Sequence, residues 1–449
     1  MAEQCDQEGS AACMDSSCMD SSCMDSRTIG CRPLFSGILA LLLVTAPASA
    51  GDWPQILGPQ RNGIASGEQL LAAWGSQGPR MQWSAEVGQG FAGVAVVGNR
   101  VVTFYRDGRE EIVQCLDAAS GRSQWRTASP CSYSGGVSGD TGPRCVPVIS
   151  GDVVITFGVE GRLQCLQLAT GEKVWERDTT ADFRPLEGYF GAGSTPVVAA
   201  DRVIVNVGGR EENSVVAFDL ATGKTLWSAF SDNASYSAPV VTEYKGRQLA
   251  LVITRLHLTG IDVASGGLQF AIPFGARGPT VNAATPLVTG DRVFISASYG
   301  IGSRLISLAD PEAGSVQRDE MILATQYATP VAAADRGDLI FAVDGRQDAG
   351  SGQASLKCVD LATWKVLWEE RGLDYGSLIR VNQELLMLTC GGELIRIAAD
   401  SRGFRASERH QVQESTDRGY RLPAIANGRL FIRDDSKLRC LQVGVSSGG

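Results

Sequence analysis

The sequence predicts an all-β fold, an eight-bladed β-propeller of four-stranded blades closed by the N-terminal strand. Three observations carry it: a hairpin motif that returns eight times, an Asp-turn-Trp motif that follows it, and a last repeat one strand short. Composition agrees. The chain has 53 glycines in 449 residues, about 12% against a usual share of about 7%. Charged residues are 20%, below the usual ~25%. Turns are plentiful and charged helix faces scarce.

The hairpins are clearest in VPVISGDVVITFG (146–158), TPVVAADRVIVNVG (195–208), TPLVTGDRVFISAS (285–298) and LPAIANGRLFIRD (422–434). Each alternates β-branched residues about an Ala-Asp, Gly-Asp or Asn-Gly turn, the signature of two short paired strands. Weaker copies start near Val94, Pro239, Pro330 and Ser377, so the anchors step along the chain by 43 to 53 residues. A fixed period of this length is the mark of a propeller or solenoid.

After most hairpins comes a second motif: VQCLDAASGRSQW (113–125), LQCLQLATGEKVW (163–175), VVAFDLATGKTLW (215–227), LTGIDVASGGLQF (258–270) and LKCVDLATWKVLW (356–368). Asp can bond the turn amides, and glycine accepts the positive φ that other residues resist. Trp125, Trp175, Trp227 and Trp368 then read as packing between blades. Cys115, Cys165, Cys358 and Cys440, all on the third strand, read as small core fillers. The final repeat ends at LRCLQV (438–443) without a Trp strand, while MQWSAEV (81–87) has that pattern ahead of the first hairpin. The two segments are expected to pair and close the ring, leaving no open edge.

The repeat frames the domains: a leader over 1–50, an entry segment over 51–80, the propeller over 81–443 and a disordered tail over 444–449. Within the leader, Leu34–Val44 is an apolar run too short for a membrane span but right for a signal-peptide core, with Arg27 and Arg32 before it and Ala48-Ser49-Ala50 after it. Cleavage is expected before Gly51. The tandem CMDSS repeats from Cys13 to Ser26 carry the wrong charge for such a leader, and the true start is expected at Met24. A metal site of Cys13, Cys18 and Cys23 has little support without a histidine. The protein is therefore expected to be exported, periplasmic or secreted, with no transmembrane segment in the mature chain.

Composition also excludes function classes. A net charge of -9 without clustered Lys or Arg argues against nucleic acid. Two histidines, His257 and His410, leave little for a multi-histidine zinc site or a Ser-His-Asp hydrolase. Cys131 and Cys145 bracket one loop and are candidates for a disulfide, the alternative being that Cys145 is another core cysteine. Cys390 is expected to be buried and unpaired.

In a propeller the first strand of each blade lines a central channel, so residues just ahead of the anchors face one mouth. Arg144, Tyr236, Tyr327 and Tyr420 stand three places before an anchor, and Tyr189, Asn282 and Tyr375 lie in the corresponding loops. Such a ring suits a sugar, a peptide or a flat cofactor. The bland reading is that the tyrosines fill the channel. Arg61, Arg184, Arg255 and Asp344 are further polar candidates.

The period and the Ala-Thr-Gly-Lys-x-x-Trp turn (221–227) resemble the pyrroloquinoline-quinone-type (PQQ-like) propeller repeat over about 81–443. The opening DWPQILGPQRNG (52–63) is similar to the entry segment of exported single-domain members. That family includes quinoprotein alcohol dehydrogenases and the outer-membrane assembly protein BamB. The dehydrogenase resemblance would imply PQQ with calcium in the channel, an Asp base and a vicinal disulfide. No adjacent cysteines, no C-x-x-C-H haem site and no identifiable Glu, Asn and Asp ligand set are present. The BamB resemblance would imply recruitment of outer-membrane assembly partners, but no lipid-accepting cysteine follows the leader. The expected function is an exported, non-catalytic binding or assembly scaffold. It would act as a monomer with a protein partner or a small-molecule or carbohydrate ligand. A PQQ-dependent dehydrogenase and a BamB-like assembly factor are the alternatives, and no cofactor is predicted outside the first of them.

Overall fold

The computed structural model describes residues 51–449 except 137, 138, 140, 187, 279, 313, 314, 317–321, 415–420 and 447–449. The described strands fall into eight antiparallel sheets of four. Blade 1 runs through Val94–Val97, Arg100–Asp107, Glu110–Asp117 and Ser123–Pro130. Blades 2 to 8 start from the inner strands Val148–Ser150, Val197–Ala199, Val240–Tyr244, Leu287–Thr289, Val331–Ala332, Gly376–Val381 and Ala424–Ala426. Strand order within a blade is sequential, as hairpin connections dictate.

Blade 8 is the exception. Its outer strand is Arg80–Glu86, which pairs antiparallel with Lys437–Gln442 and sets Trp83 opposite Cys440. The closing strand thus falls where the incomplete last repeat requires it. Apolar clusters lie at the seams between neighbouring blades, for example Val102, Phe104 and Cys115 of blade 1 against Val154 and Leu166 of blade 2. This is sheet-on-sheet packing, with alternate side chains of each strand feeding one seam or the next.

One contact recurs from seam to seam. The indole N–H of Trp83 donates to Ala118 O at 2.9 Å, Trp125 to Leu168 O at 2.9 Å, Trp175 to Leu220 O at 2.8 Å and Trp227 to Val263 O at 3.0 Å. The acceptor in each case is the residue after the turn's Asp or Gln. The turn glycine of the next blade then lies flat on the ring: a Cβ on Gly121 would come within 2.7 Å of Trp83, and its φ is +69°. Glycine is needed there both for the backbone and for the space. The turn carboxylates act as expected, Asp219 accepting from the Thr222 amide and hydroxyl at 2.8 and 2.6 Å.

Three seams lack the strand-four Trp: blade 4 sets Phe270 there, opposite Gly260, and the two after blades 5 and 7 are filled from elsewhere. In blade 5 the described part of the fourth strand is Ser315–Val316, and its sequence brings no Trp. There blade 6 carries Trp364 where the turns of blades 1 to 4 have glycine, and this ring reaches back to Phe294, centroids 6.2 Å apart, in a cluster with Leu287 and Leu305. Blade 7 carries Glu408 at the Trp position, opposite Arg396. The missing indole comes from the entry segment, Trp74, which donates to Val443 O at 2.9 Å. Glu408 accepts the Trp74 backbone N–H at 2.9 Å, and the Arg396 guanidinium lies 5.7 Å from the Trp74 ring.

The entry segment is therefore part of the fold. Trp53 bridges Val96 of blade 1, Pro54 O accepts from Ile149 of blade 2, and Gly63 and Ala65 bond Arg380 of blade 7. Between these points Arg61 is buried at the hub and donates to Pro239 O at 2.8 Å, to Pro196 O and to Gln55 Oε1. Burial lowers its pKa to about 9. Segment 53–65 crosses the end of the channel and closes it. Gly444 and Val445, assigned to the tail from sequence, are bonded too: Leu70 bridges Gly444, and Val445 N donates to Gln69 O at 2.8 Å. Among the described residues no helix is long and apolar enough to cross a membrane.

Candidate functional site

The loops leading into the inner strands converge at the other end of the channel. There they enclose a cavity of about 390 Å³ lined by Arg144, Tyr236 and Tyr327. Ile56 of the entry segment also lines it, closing it from below. Beside it a second cavity of about 700 Å³ is lined by Tyr189, Tyr236 and Asn282. Gly193, Tyr236 and Val281 belong to both walls, so the two spaces meet at Tyr236.

Five of the seven predicted mouth residues are thus brought together. Tyr375 is not. It is buried, with its hydroxyl accepting the amides of Gln326, Tyr327 and Ala328 at 2.8, 3.1 and 3.1 Å. The reason is its spacing: it immediately precedes the strand Gly376–Val381, whereas Tyr236 stands four residues ahead of Val240–Tyr244. Its ring turns back into the blade 6–7 seam, edge-on to Tyr327 with centroids 4.8 Å apart. Tyr420 lies outside the described residues.

The disulfide considered for Cys131 and Cys145 is not formed, and both are buried free thiols. They occupy different surroundings. Cys145 packs in the blade 2–3 seam near Thr195 and Arg61, while Cys131 sits near Glu111, Glu160 and Arg106. Cys390 is buried and in no disulfide, as expected, with its Sγ 3.3 Å from the Tyr327 hydroxyl.

Arg144 is held by aromatic rings: its guanidinium carbon lies 5.2 Å from the Phe91 centroid and 5.9 Å from those of Tyr133 and Phe190. Phe91 also faces Arg421 at 5.4 Å, so one ring serves two cations. The chain after the short helix Thr179–Phe183 folds over the second cavity. Its Phe190 N–H donates to the Tyr236 hydroxyl at 2.8 Å, and the Tyr189 hydroxyl donates to Gly278 O at 3.1 Å. Burial pushes the Tyr236 hydroxyl up to about 12.

Of the further polar candidates, Arg255 lines the second cavity, donating to Thr280 Oγ1 at 2.9 Å and to Gly278 O. Asp344 instead pairs with the buried Lys357 at 2.7 Å, and Arg184 closes the short helix with φ +50°. Sequence reasoning missed Phe91, Tyr133, Phe190 and Asn206. The available signal was the two longest repeat steps, 53 and 49 residues, which carry the loops supplying Tyr133, Arg144, Tyr189 and Phe190.

Asn206 and Asn282 are both 1% exposed. Asn206 Nδ2 donates to Ile253 O at 3.0 Å, and Asn282 Nδ2 donates to Thr254 O and Arg255 O, each at 3.1 Å. They grip three consecutive carbonyls, which fixes each amide's orientation, because a flipped amide would set oxygen against oxygen. Neither Oδ1 atom has a donor among the described residues.

The donors at the mouth do not match a calcium ion with an orthoquinone cofactor, which calls for six to eight oxygen ligands on the metal. Asp348 is the one carboxylate among the described lining residues of the first cavity, and it is paired with Arg346 at 3.3 Å. No group of three or more His, Cys, Asp or Glu is placed to hold a metal among the described residues.

Comparison with known proteins places this architecture. The chain is 31% identical over 151 residues to the quinohemoprotein alcohol dehydrogenase ADH-IIG of Pseudomonas putida, 32% of this chain but only 20% of that protein. It is 24% identical over 268 residues to the outer membrane protein assembly factor BamB of Burkholderia pseudomallei (strain K96243), covering 49% of this chain and 66% of that protein. Among solved structures, BamB from Moraxella catarrhalis superposes with a TM-score of 0.58 at 16% identity, over 81% of this chain and 97% of that one. The quinohemoprotein alcohol dehydrogenase from Comamonas testosteroni superposes with a TM-score of 0.63 at 13% identity, over 90% and 82%. These low identities show the fold alone. The family model described as outer membrane protein assembly factor BamB matches residues 109–370, more than half of the sequence, and the chain belongs to that family of PQQ-type repeat propellers.

Proposed function

We propose that this protein is an exported, non-catalytic propeller that acts as a monomeric binding or assembly scaffold, with the mouth face as its binding surface. The supporting observation is the composition of that face. Aromatic rings, amides and shielded guanidinium groups converge on two adjoining cavities. Their described walls hold no nucleophile bonded to a base, and the cysteines nearby are buried thiols. The BamB relationship supports a protein companion. The quinoprotein relationship supports the fold but not the chemistry, because the calcium and quinone donor set is not matched.

Mass spectrometry of proteins and small molecules that co-purify with residues 51–449 tests the reading. A specific companion lost on Tyr236→Ala or Tyr327→Ala supports the scaffold. Recovery unchanged by both substitutions, or dye-linked alcohol oxidation on adding PQQ with calcium, overturns it. Capture of barrel-assembly subunits would select the BamB-like form.

A further inference from the structure

The second cavity spans three blades and carries one charge of each sign on its described wall, Glu160 and Arg255. Glu160 stands in the turn between the second and third strands of blade 2, Val153–Phe157 and Arg162–Gln167. Arg255 stands in the matching turn of blade 4, between Arg247–Ile253 and His257–Asp262. Asn206 and Val207 of blade 3 line the wall between them. Among the described residues neither charge has an ion-pair partner, and they do not pair with each other.

Each charge keeps bonding capacity in reserve. Glu160 Oε1 accepts both the Ser132 amide and hydroxyl, at 3.1 and 2.6 Å, while Oε2 has no donor among the described residues. Arg255 spends Nη1 on Thr280 Oγ1 at 2.9 Å and Nη2 on Gly278 O, two of the five N–H donors of a guanidinium. Its Nε has no acceptor among the described residues. Unlike the asparagine oxygens, Glu160 Oε2 and Arg255 Nε are not sealed from solvent, and both residues are half-buried. A ligand can therefore touch them. In a partly enclosed site a matching charge is worth more than in bulk water, and a ligand with a single charge would leave one end bare. The complement is a zwitterion with its charges well apart, because blade 3 separates Glu160 from Arg255. An ammonium and a carboxylate on one carbon do not serve. Between the ends the wall is aliphatic and aromatic, with Val159, Val207, Val281, Tyr189 and Tyr236, and it suits side chains more than further charge. An extended peptide meets these demands, spacing its termini by about 3.3–3.6 Å per residue.

We propose that this cavity binds a short unblocked peptide, its terminal ammonium on Glu160 and its terminal carboxylate on Arg255, with side chains laid against Tyr189 and Tyr236. This assignment rests on the reading of the mouth face as the binding side, and it specifies the class of ligand held there. A volume of about 700 Å³ is within the usual range for a small-molecule site of about 300–1,000 Å³.

Isothermal titration of the purified protein with unblocked tri-, tetra- and pentaalanine tests it, beside their N-acetylated and C-amidated forms, free alanine and 6-aminohexanoate. At least one unblocked peptide should bind, and free alanine about ten-fold more weakly, a loss of about 1.4 kcal/mol. Acetylating the amine should cost about ten-fold in the wild type and little in Glu160→Gln. Amidating the carboxylate should cost about ten-fold in the wild type and little in Arg255→Gln. A merely structural role for either residue would not produce that crossed dependence. Glu160→Gln keeps an acceptor for Ser132, so its half of the test stands even if Arg255→Gln does not fold. No binding by any unblocked peptide, equal affinity for blocked and unblocked forms, or blocking penalties that persist in the matching variant would sink the proposal. So would binding of 6-aminohexanoate without any of the peptides. If a companion protein is lost on Tyr236→Ala or Tyr327→Ala but no peptide binds, the scaffold stands and the peptide site falls. If a peptide binds with the crossed dependence but no companion responds to Tyr236 or Tyr327, the peptide site stands and the scaffold falls.

Discussion

Trp364 occupies a turn position that blades 1 to 4 give to glycine, and it packs against Phe294 of the preceding blade at 6.2 Å. Its φ is +53°, an uncommon conformation for a bulky residue. Its indole N–H has no partner among the described residues, and the ring serves to fill space.

Restoring the family motif by Trp364→Gly would relieve backbone strain of about 1 kcal/mol. It would also empty a buried site, at about 3–5 kcal/mol for loss of such a ring. The cavity term is larger. The variant should be less stable by about 2–4 kcal/mol, seen as a lower urea midpoint, although its sequence looks more regular.

Trp74 ties the entry segment to the seam between blades 7 and 8 through Val443 O, Glu408 and Arg396. Trp74→Ala should free residues 51–80 before it disturbs the blades, since local opening follows loss of local contacts. Limited proteolysis should then cut within 51–80 many-fold faster while the remainder stays resistant. Uniform digestion of the whole chain would contradict this.

Glu111 is buried and accepts the Val159 N–H at 2.8 Å across the blade 1–2 seam. Burial is the main cause that raises its pKa from 4.5 to about 7. The Val159 N–H bond opposes the shift, nearby Glu160 adds to it, and Arg162 and Arg106 oppose it. Between about pH 4.5 and 7 the folded form holds more protons than the unfolded one, so stability falls as pH rises through this window and levels off above it. The total is on the order of 3 kcal/mol. Glu111→Gln keeps an acceptor for Val159 and should remove the slope. Urea midpoints compared at about pH 5 and pH 7 measure it.

Burial pushes the Cys131 thiol up to about 11 and the Cys145 thiol up to about 12. Thiolate is the reactive form, so both should resist iodoacetamide in the native protein at neutral pH. Both should be labelled once the chain is unfolded without reductant. Protection that persists in denaturant until a reductant is added would reveal a disulfide.

Legibility followed periodicity. The eight blades, the closing strand around Trp83, the Asp and glycine of the turns and the Cys115-type fillers all repeat, and a repeat exposes its physical demand by recurring. The entry segment does not repeat. Nothing in DWPQILGPQRNG announces that Arg61 will cap the hub or that Trp74 will replace an indole missing from blade 7, because both depend on carbonyls hundreds of residues away. At the mouth, the spacing to the anchors located Arg144, Tyr236 and Tyr327. It failed for Tyr375, where a shorter approach to the strand reverses the ring. Asn206 was invisible because it lies at the end of a second strand, away from the loops ahead of the anchors.

The pairing of Trp83 with Cys440 means that the opening strand has no mate until the polypeptide has been made as far as the last blade. A product truncated before residue 437 would present Arg80–Glu86 as a bare, adhesive border, ready to join a neighbour's sheet. Completion of the circle thus doubles as a check that synthesis has passed residue 442, and molecules cut short of it should betray themselves by clumping.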